Sequence, residues 1–516
     1  MISNWIGYVR LHRVYLFLYA TFAIGLPLNK IVLSLSGLLL FALFLIELQP
    51  SRDLKRIAGS KPTRILLLFL LVHLLSFFWS DNSAYFLKDF QVKLPFYALP
   101  LVFMQHPIQS KKERDFIFYC FLGAVTLCSV FNFIRFFGSE LHLSEDVRHL
   151  SFFISHIRFG LMVLFSAVIA TYLFISKRGM LKWIGLVLLS WFLIYTWYSE
   201  VLSAYLAVPV LICSALIFLF FRSFSRTKAW VLSSLTVLIP LIILGLTSYF
   251  LLKTPPLPTI GKSEQLTREG NPYTHNLKSR YFINDHHVYS FICNAELDRE
   301  WKKVSQIPIR DTNQYGYLHY FTLVQYMASK GLTKDAEGFQ QLDSNDIQQI
   351  LSGVSNVRIA EGKSIHRLES LRNEFYDDDP NGKTLTQRWE YLKTGWRIFL
   401  KHPMLGVGSG DLADSFQQQY EHDQSRLSPN NQLRAHNQGL TYLISFGIIG
   451  GILFLLWLVF NFQVLNEQKN LLGMLFLILM SFSFLSEDTL ETQMGVSLFS
   501  FFLALFSTQT WRHHEN

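Results

Sequence analysis

The stretch Arg434-Ala435-His436-Asn437-Gln438-Gly439-Leu440-Thr441-Tyr442-Leu443-Ile444-Ser445-Phe446-Gly447-Ile448-Ile449-Gly450, running on through Trp457, changes character once. It is polar and basic up to Gln438 and apolar from Gly439 to Phe460. An apolar run of that length reads as a helix crossing about 30 Å of hydrocarbon. His436, between Arg434 and Asn437, therefore stands at a membrane–water boundary. The polar half reaches back to Leu385. It holds Arg388, Trp396 and the run Pro403-Met404-Leu405-Gly406-Val407-Gly408-Ser409-Gly410-Asp411. An imidazole and cations at such a boundary suit a substrate with a lipid tail and an anionic head.

The rest of the chain has the same membrane character. Of its 516 residues 51% are hydrophobic and only 16% charged, which is too little charge for a soluble domain. The fold class expected is an all-α polytopic membrane protein with about twelve transmembrane helices and one large, mainly helical periplasmic loop. The twelve stretches are 14–28, 31–48, 65–80, 94–105, 115–138, 158–176, 183–199, 201–221, 229–252, 439–463, 471–486 and 494–510. The short one, 94–105, is expected either to be re-entrant or to begin earlier. This divides the chain into an N-terminal bundle of about nine helices (1–252), the large loop (253–438) and about three C-terminal helices (439–516).

The net charge of +9 is no sign of nucleic acid, because it concentrates in short loops. Arg52, Lys55, Arg56, Lys61 and Arg64 follow the second span; Lys111, Lys112 and Arg114 the fourth; Lys177, Arg178 and Lys182 the sixth; Arg222, Arg226 and Lys228 the eighth. The positive-inside rule puts all of these in the cytoplasm. Both termini are then cytoplasmic and the long loop is outside, which in a bacterial inner membrane is the periplasm. No cleavable signal peptide is expected, since apolar sequence continues from Val14 to Leu48. The four cysteines, Cys120, Cys128, Cys213 and Cys293, show no disulfide or zinc spacing.

Inside the loop, Tyr317–Ser329 is apolar enough to pack, and Ser344 can cap a helix over 345–351. The strongest helix is 385–400, with Leu385, Trp389, Leu392, Trp396 and Phe399 at steps of three and four and Arg388 beside that stripe. Pro403 ends it. The three glycines of the following run permit a tight turn, and Asp411 can cap what comes next.

Taken as residues, these features leave alternatives. His436 reads as a general base or as a surface histidine at a helix start with Asn437 as its cap. Arg388 reads as an anion ligand or as an exposed helix arginine. Arg158, in Ser155-His156-Ile157-Arg158 at the outer end of a span, either snorkels or faces a polar cavity. Arg434, close to His436 in sequence, reads as a weaker diphosphate ligand or as a solvated loop arginine. Lys93 reads as a phosphate contact. Glu487, Asp488 and Glu491, between the last two spans, either orient His436, with Asn437, and bind an acceptor, or form a solvated acidic loop.

The order Arg388, Trp396, Pro403-x-x-Gly406-x-Gly408-x-Gly410-Asp411, His436-Asn437, Gly447-x-x-Gly450 resembles the signature region of the O-antigen ligase/polymerase superfamily. These are bacterial membrane glycosyltransferases acting on polyprenyl-diphosphate-linked glycans. The resemblance implies that His436 activates the acceptor hydroxyl and that Arg388 and Arg158 contact the diphosphate. It implies an inverting, metal-independent reaction without a cofactor, since arginines can neutralise the leaving group. The donor would be a polyprenyl-diphosphate-linked glycan. The acceptor would be the lipid A core by default, with a growing glycan (polymerase) or a protein hydroxyl (O-oligosaccharyltransferase) as alternatives. One departure stands out. The family often has an arginine at the outer start of the eighth span, and residues 199–204 around Leu202 have none. A transporter or flippase of lipid-linked glycans is the competing class. It would place charges and helix breaks near the middle of several spans, whereas here they gather at the outer ends. A sensor fits less well, because no signalling domain follows on the inside.

Overall fold

A computed structural model describes residues 2–138, 150–199, 201–253, 255–261, 265–313, 317–360, 372–373, 380–381 and 384–508. All twelve stretches expected to span overlap helices: Ile2–Leu28, Lys30–Ile46, Lys61–Leu75, Ser83–Gln105, Lys111–Phe137, His156–Ser176, Met180–Ser199, Leu202–Ser223, Arg226–Leu252, Gln438–Glu467, Leu471–Ser483 and Gln493–Ser507. Among the described residues, eight of these are long and apolar enough to cross a membrane. A ninth results if Lys30–Ile46 is joined to Pro50–Gly59, which follows it at a 112° bend. The chain is therefore a multi-pass, mainly helical membrane protein. Leu471–Ser483 and Gln493–Ser507 are apolar but short. The stretch 94–105 is the second half of the Ser83–Gln105 helix, which begins where the Asn82 side chain accepts from Tyr85 N. Lys88, Asp89 and Lys93 in its first half hid that helix from a hydropathy reading.

Gln493–Ser507 is central, with every residue from Met494 to Phe506 buried. Aromatic contacts tie the two ends of the chain together. Phe69 packs against Tyr442 and Phe446, with ring centroids 5.1 and 5.4 Å away. Phe96 meets Trp457 at 4.7 Å, and Phe22 stacks on Phe501 at 5.0 Å. A separate small lobe, within residues 265–360, is built on Leu297, Trp301, Leu323, Met327 and Ile350. Its helices include Asn294–Val304, His319–Ser329 and Ser344–Leu351. Asp343, not Ser344, caps the last of these, in a reciprocal box with Asp346.

The Gln438–Glu467 helix is broken at Gly447, where φ is 64° and ψ −166°. The break frees backbone groups that lipid could not satisfy. The Pro403–Asp411 run satisfies them: Val407 N donates to Ile444 O at 2.8 Å, Gly408 N to Ser445 O at 3.0 Å, and Ile448 N to Pro403 O at 2.8 Å. The approach is so close that a Cβ on Gly447 would lie 2.1 Å from Met404 O. Asp411 fastens the same run to the residues just after the third span. Its carboxylate caps no helix; it accepts from Asp81 N at 2.9 Å and Asn82 N at 2.8 Å. These glycines and Asp411 are thus a clamp between the loop and two spans.

Candidate active site

The segment that carries His436 is held on both sides: Tyr420 donates its hydroxyl to Leu433 O at 2.7 Å and Gln438 N donates to Phe484 O at 2.9 Å. Asn437 is the cap of the following helix: its side-chain oxygen accepts from Leu440 N and its amide donates to Leu485 O. This bears out the capping alternative for Asn437. His436, immediately before the cap, is held at φ 46°. That left-handed conformation costs a non-glycine residue on the order of 1–3 kcal/mol and marks a position fixed by its surroundings. The Tyr391 ring stacks on the imidazole at 5.4 Å and 29°.

A cavity of about 600 Å³ opens beside it. His436, Arg158, Arg434, Glu487, Asp488 and Tyr85 are among its lining residues. Five of the side chains singled out in the sequence thus converge, although they come from three separate parts of the chain. Arg388 stands behind one of them, paired with Glu487 through one carboxylate oxygen. The other oxygen, Oε2, lies 3.5 Å from His436 Nδ1. Arg434 contacts Glu491 at 3.4 Å and Asp488 at 3.7 Å. Arg158 differs: its Nε is buried without a hydrogen-bond partner, and among the described residues it forms no ion pair. It touches no carboxylate directly, although Glu487 and Asp488 lie close enough to favour its charge.

The carboxylates have opposite electrostatics. Burial alone would push Glu487 up, but His436, Arg388 and Arg158 more than offset it and hold the group below the usual carboxylate range. Burial dominates at Asp488 and raises it, despite Arg434 and His436 nearby. Burial disfavours the Arg434 charge too, but Glu491 and Asp488 outweigh it and raise this group above its ordinary value.

Lys93 does not reach the cavity. It is 2% exposed, and its ammonium is held by Asp89 at 2.5 Å and Glu491 at 2.9 Å. Asp89 is in turn 3.2 Å from His73 Nε2. The lysine thus neutralises carboxylates one layer beneath the site, because its helix is buried at that height. Glu491 faces this layer, with its second oxygen taken by Gln438 Nε2 at 3.0 Å. Glu487, Asp488 and Glu491 are all buried, so the solvated-loop alternative fails. Gln438 and Tyr391 had no sequence signal as site residues; Gln438 follows Asn437 as the first polar residue of a span, and that position was its only hint. Glu200, in the stretch that departs from the family pattern, lies outside the described residues.

Residues 347–455 match a family model described as O-antigen ligase. The match supports membership of the O-antigen ligase superfamily. The matched segment contains Arg388, the clamp, Arg434 and His436, whereas Arg158 and the three carboxylates lie outside it. No curated protein matches the chain.

Proposed function

We propose that the protein transfers a glycan from a polyprenyl diphosphate to an acceptor hydroxyl, by default on the lipid A core, at the periplasmic face of the bacterial inner membrane. The family match supports an enzyme of glycosyltransferase type, and the apolar helices support a lipid-borne donor. The observation that carries the reading is Arg158, without a direct carboxylate contact among the described residues, in the same cavity as His436.

In this mechanism Nδ1 of His436 is turned to Glu487 and Nε2 takes the proton of the acceptor hydroxyl. The oxygen attacks the anomeric carbon from the face opposite the diphosphate. The bond from that carbon to the diphosphate oxygen breaks, and the electron pair leaves with the diphosphate. Arg158 supplies fixed positive charge there, with Arg388 and Arg434 on the flanks. The configuration at the anomeric carbon inverts. Asn437, Glu487 and Asp488 shape and orient the site rather than carry the bond change. Glu491, with Lys93 behind it, holds Arg434.

Purified protein given a lipid-linked glycan and a lipid A core acceptor should yield glycosylated acceptor with inverted linkage and one free polyprenyl diphosphate per transfer, also in the presence of a chelator. Movement of the intact donor between leaflets without its consumption would replace this reading by transport. A retained configuration would remove the single-displacement mechanism.

A further inference from the structure

The helix Thr384–Lys401 buries Tyr391, Thr394, Gly395 and Ile398 against the body of the protein. Of its apolar stripe, Phe399 is buried as well and Leu392 packs against the same core. Trp389 remains 67% exposed, Trp396 50% and Leu400 59%. At 100° per residue these three lie within a narrow sector opposite the packed face. The same apolar surface continues into the clamp, where Met404 is 61% and Leu405 49% exposed. Five large apolar side chains in succession are more than a soluble loop leaves to water.

The occupant follows from what the surface joins. Pro403, two residues before Leu405, accepts the hydrogen bond of Ile448 N. Ile448, Ile449, Ile452 and Leu455 are themselves exposed, on a helix long and apolar enough to span a membrane. Gly447 is nine residues into that helix, about 13 Å along its axis. The clamp therefore meets the span below its outer end, and the two exposed apolar faces form one surface. Tryptophans beside Lys393 on one helix are the composition of an interfacial segment, while Arg397 and Lys401 are engaged by Asp423 and Gln419.

We infer that the Trp389–Trp396–Leu400 face, together with Met404 and Leu405, is inserted in the lipid leaflet on the cavity side of the membrane. The helix then lies in the interface plane. Arg388, one residue before Trp389, is held at headgroup depth. A lipid-borne diphosphate meets it there without leaving the bilayer, a consequence that rests on the proposed function, whereas the insertion does not.

The test is tryptophan emission of the full chain in nanodiscs of phosphatidylcholine brominated on its acyl chains, compared with the W389F/W396F variant. Both positions are exposed, so phenylalanine leaves the fold intact. Acyl bromines should quench a component of wild-type emission that is missing from the variant, and aqueous acrylamide should leave that component unquenched. If acrylamide quenches it and bromines do not, the face is open to water or covered by another protein and the inference is overturned. Since no turnover is measured, the outcome is independent of whether the protein transfers glycans.

Discussion

His436 Nδ1 lies 3.5 Å from Oε2 of Glu487, and the other oxygen of that carboxylate holds Arg388. One buried carboxylate thus fixes the orientation of the imidazole and the position of a cation. Glu487→Gln keeps the shape but weakens both contacts. Turnover should fall on the order of 100-fold from misplacement alone, with KM for the acceptor little changed. Steady-state kinetics check this, and wild-type kcat in the variant would reduce Glu487 to a packing residue.

Glu487 and Asp488 should respond oppositely to pH. The folded-state value of Glu487 is depressed, so its contribution to stability is present above the unfolded carboxylate value near about 4.3 and is lost as pH falls through the folded value. The folded-state value of Asp488 is raised, so folding favours its neutral form and stability declines as pH rises from the unfolded toward the folded value. Asp488→Asn should therefore melt at or above the wild-type temperature at neutral pH, and Glu487→Gln below it. Melting curves of the two variants between about pH 4 and 7 read the difference.

Two cations should behave differently when removed. Lys93 lies between Asp89 and Glu491, so Lys93→Met leaves buried Asp89 without its ammonium and Glu491 with Arg434 alone, and should cost about 3–5 kcal/mol. Arg158 touches no carboxylate among the described residues but favours ionised Glu487 from a distance, so Arg158→Met should lower the melting temperature far less than Lys93→Met. Donor binding should nevertheless weaken about tenfold or more, as expected for loss of a charged hydrogen-bond donor worth about 1.5–3 kcal/mol. Binding of a labelled lipid diphosphate and thermal melting of both variants separate the two roles.

The clamp gives a backbone prediction. Gly447→Ala combines a positive φ with a Cβ placed 2.1 Å from Met404 O. It should disrupt the bonds from Val407, Gly408 and Ile448, and the yield of folded protein in detergent should fall severalfold. Gly123→Ala, where a Cβ meets nothing within 4 Å, is the matched control.

What the sequence disclosed and what it withheld follow from physical range. The helix over 385–400 was readable because its period is local, and it is observed at Thr384–Lys401. Its orientation was not: the spacing puts Trp389, Trp396 and Phe399 on one stripe, yet Phe399 is buried and the two tryptophans are exposed, because apolar side chains in a membrane protein have two places to go, protein and lipid. His436 and Arg434 were recognisable as neighbours in sequence. Their meeting with Arg158 depends on how distant spans pack, and no local pattern carries that. Lys93 reads as a phosphate contact because spacing cannot reveal a counter-ion such as Glu491, 398 residues away. The glycine run was legible as a turn, but its role as cover for a broken span required the partner carbonyls of Ile444 and Ser445.

The central claim, that His436 removes the acceptor proton in a cavity whose arginines hold the diphosphate, is tested most directly by the rate of free polyprenyl diphosphate release from His436→Ala. In the presence of a saturating lipid-linked donor and acceptor, turnover should fall by about 10²–10⁴-fold, while donor affinity and melting temperature stay at the wild-type level. Release at the wild-type rate from the folded variant would contradict the account.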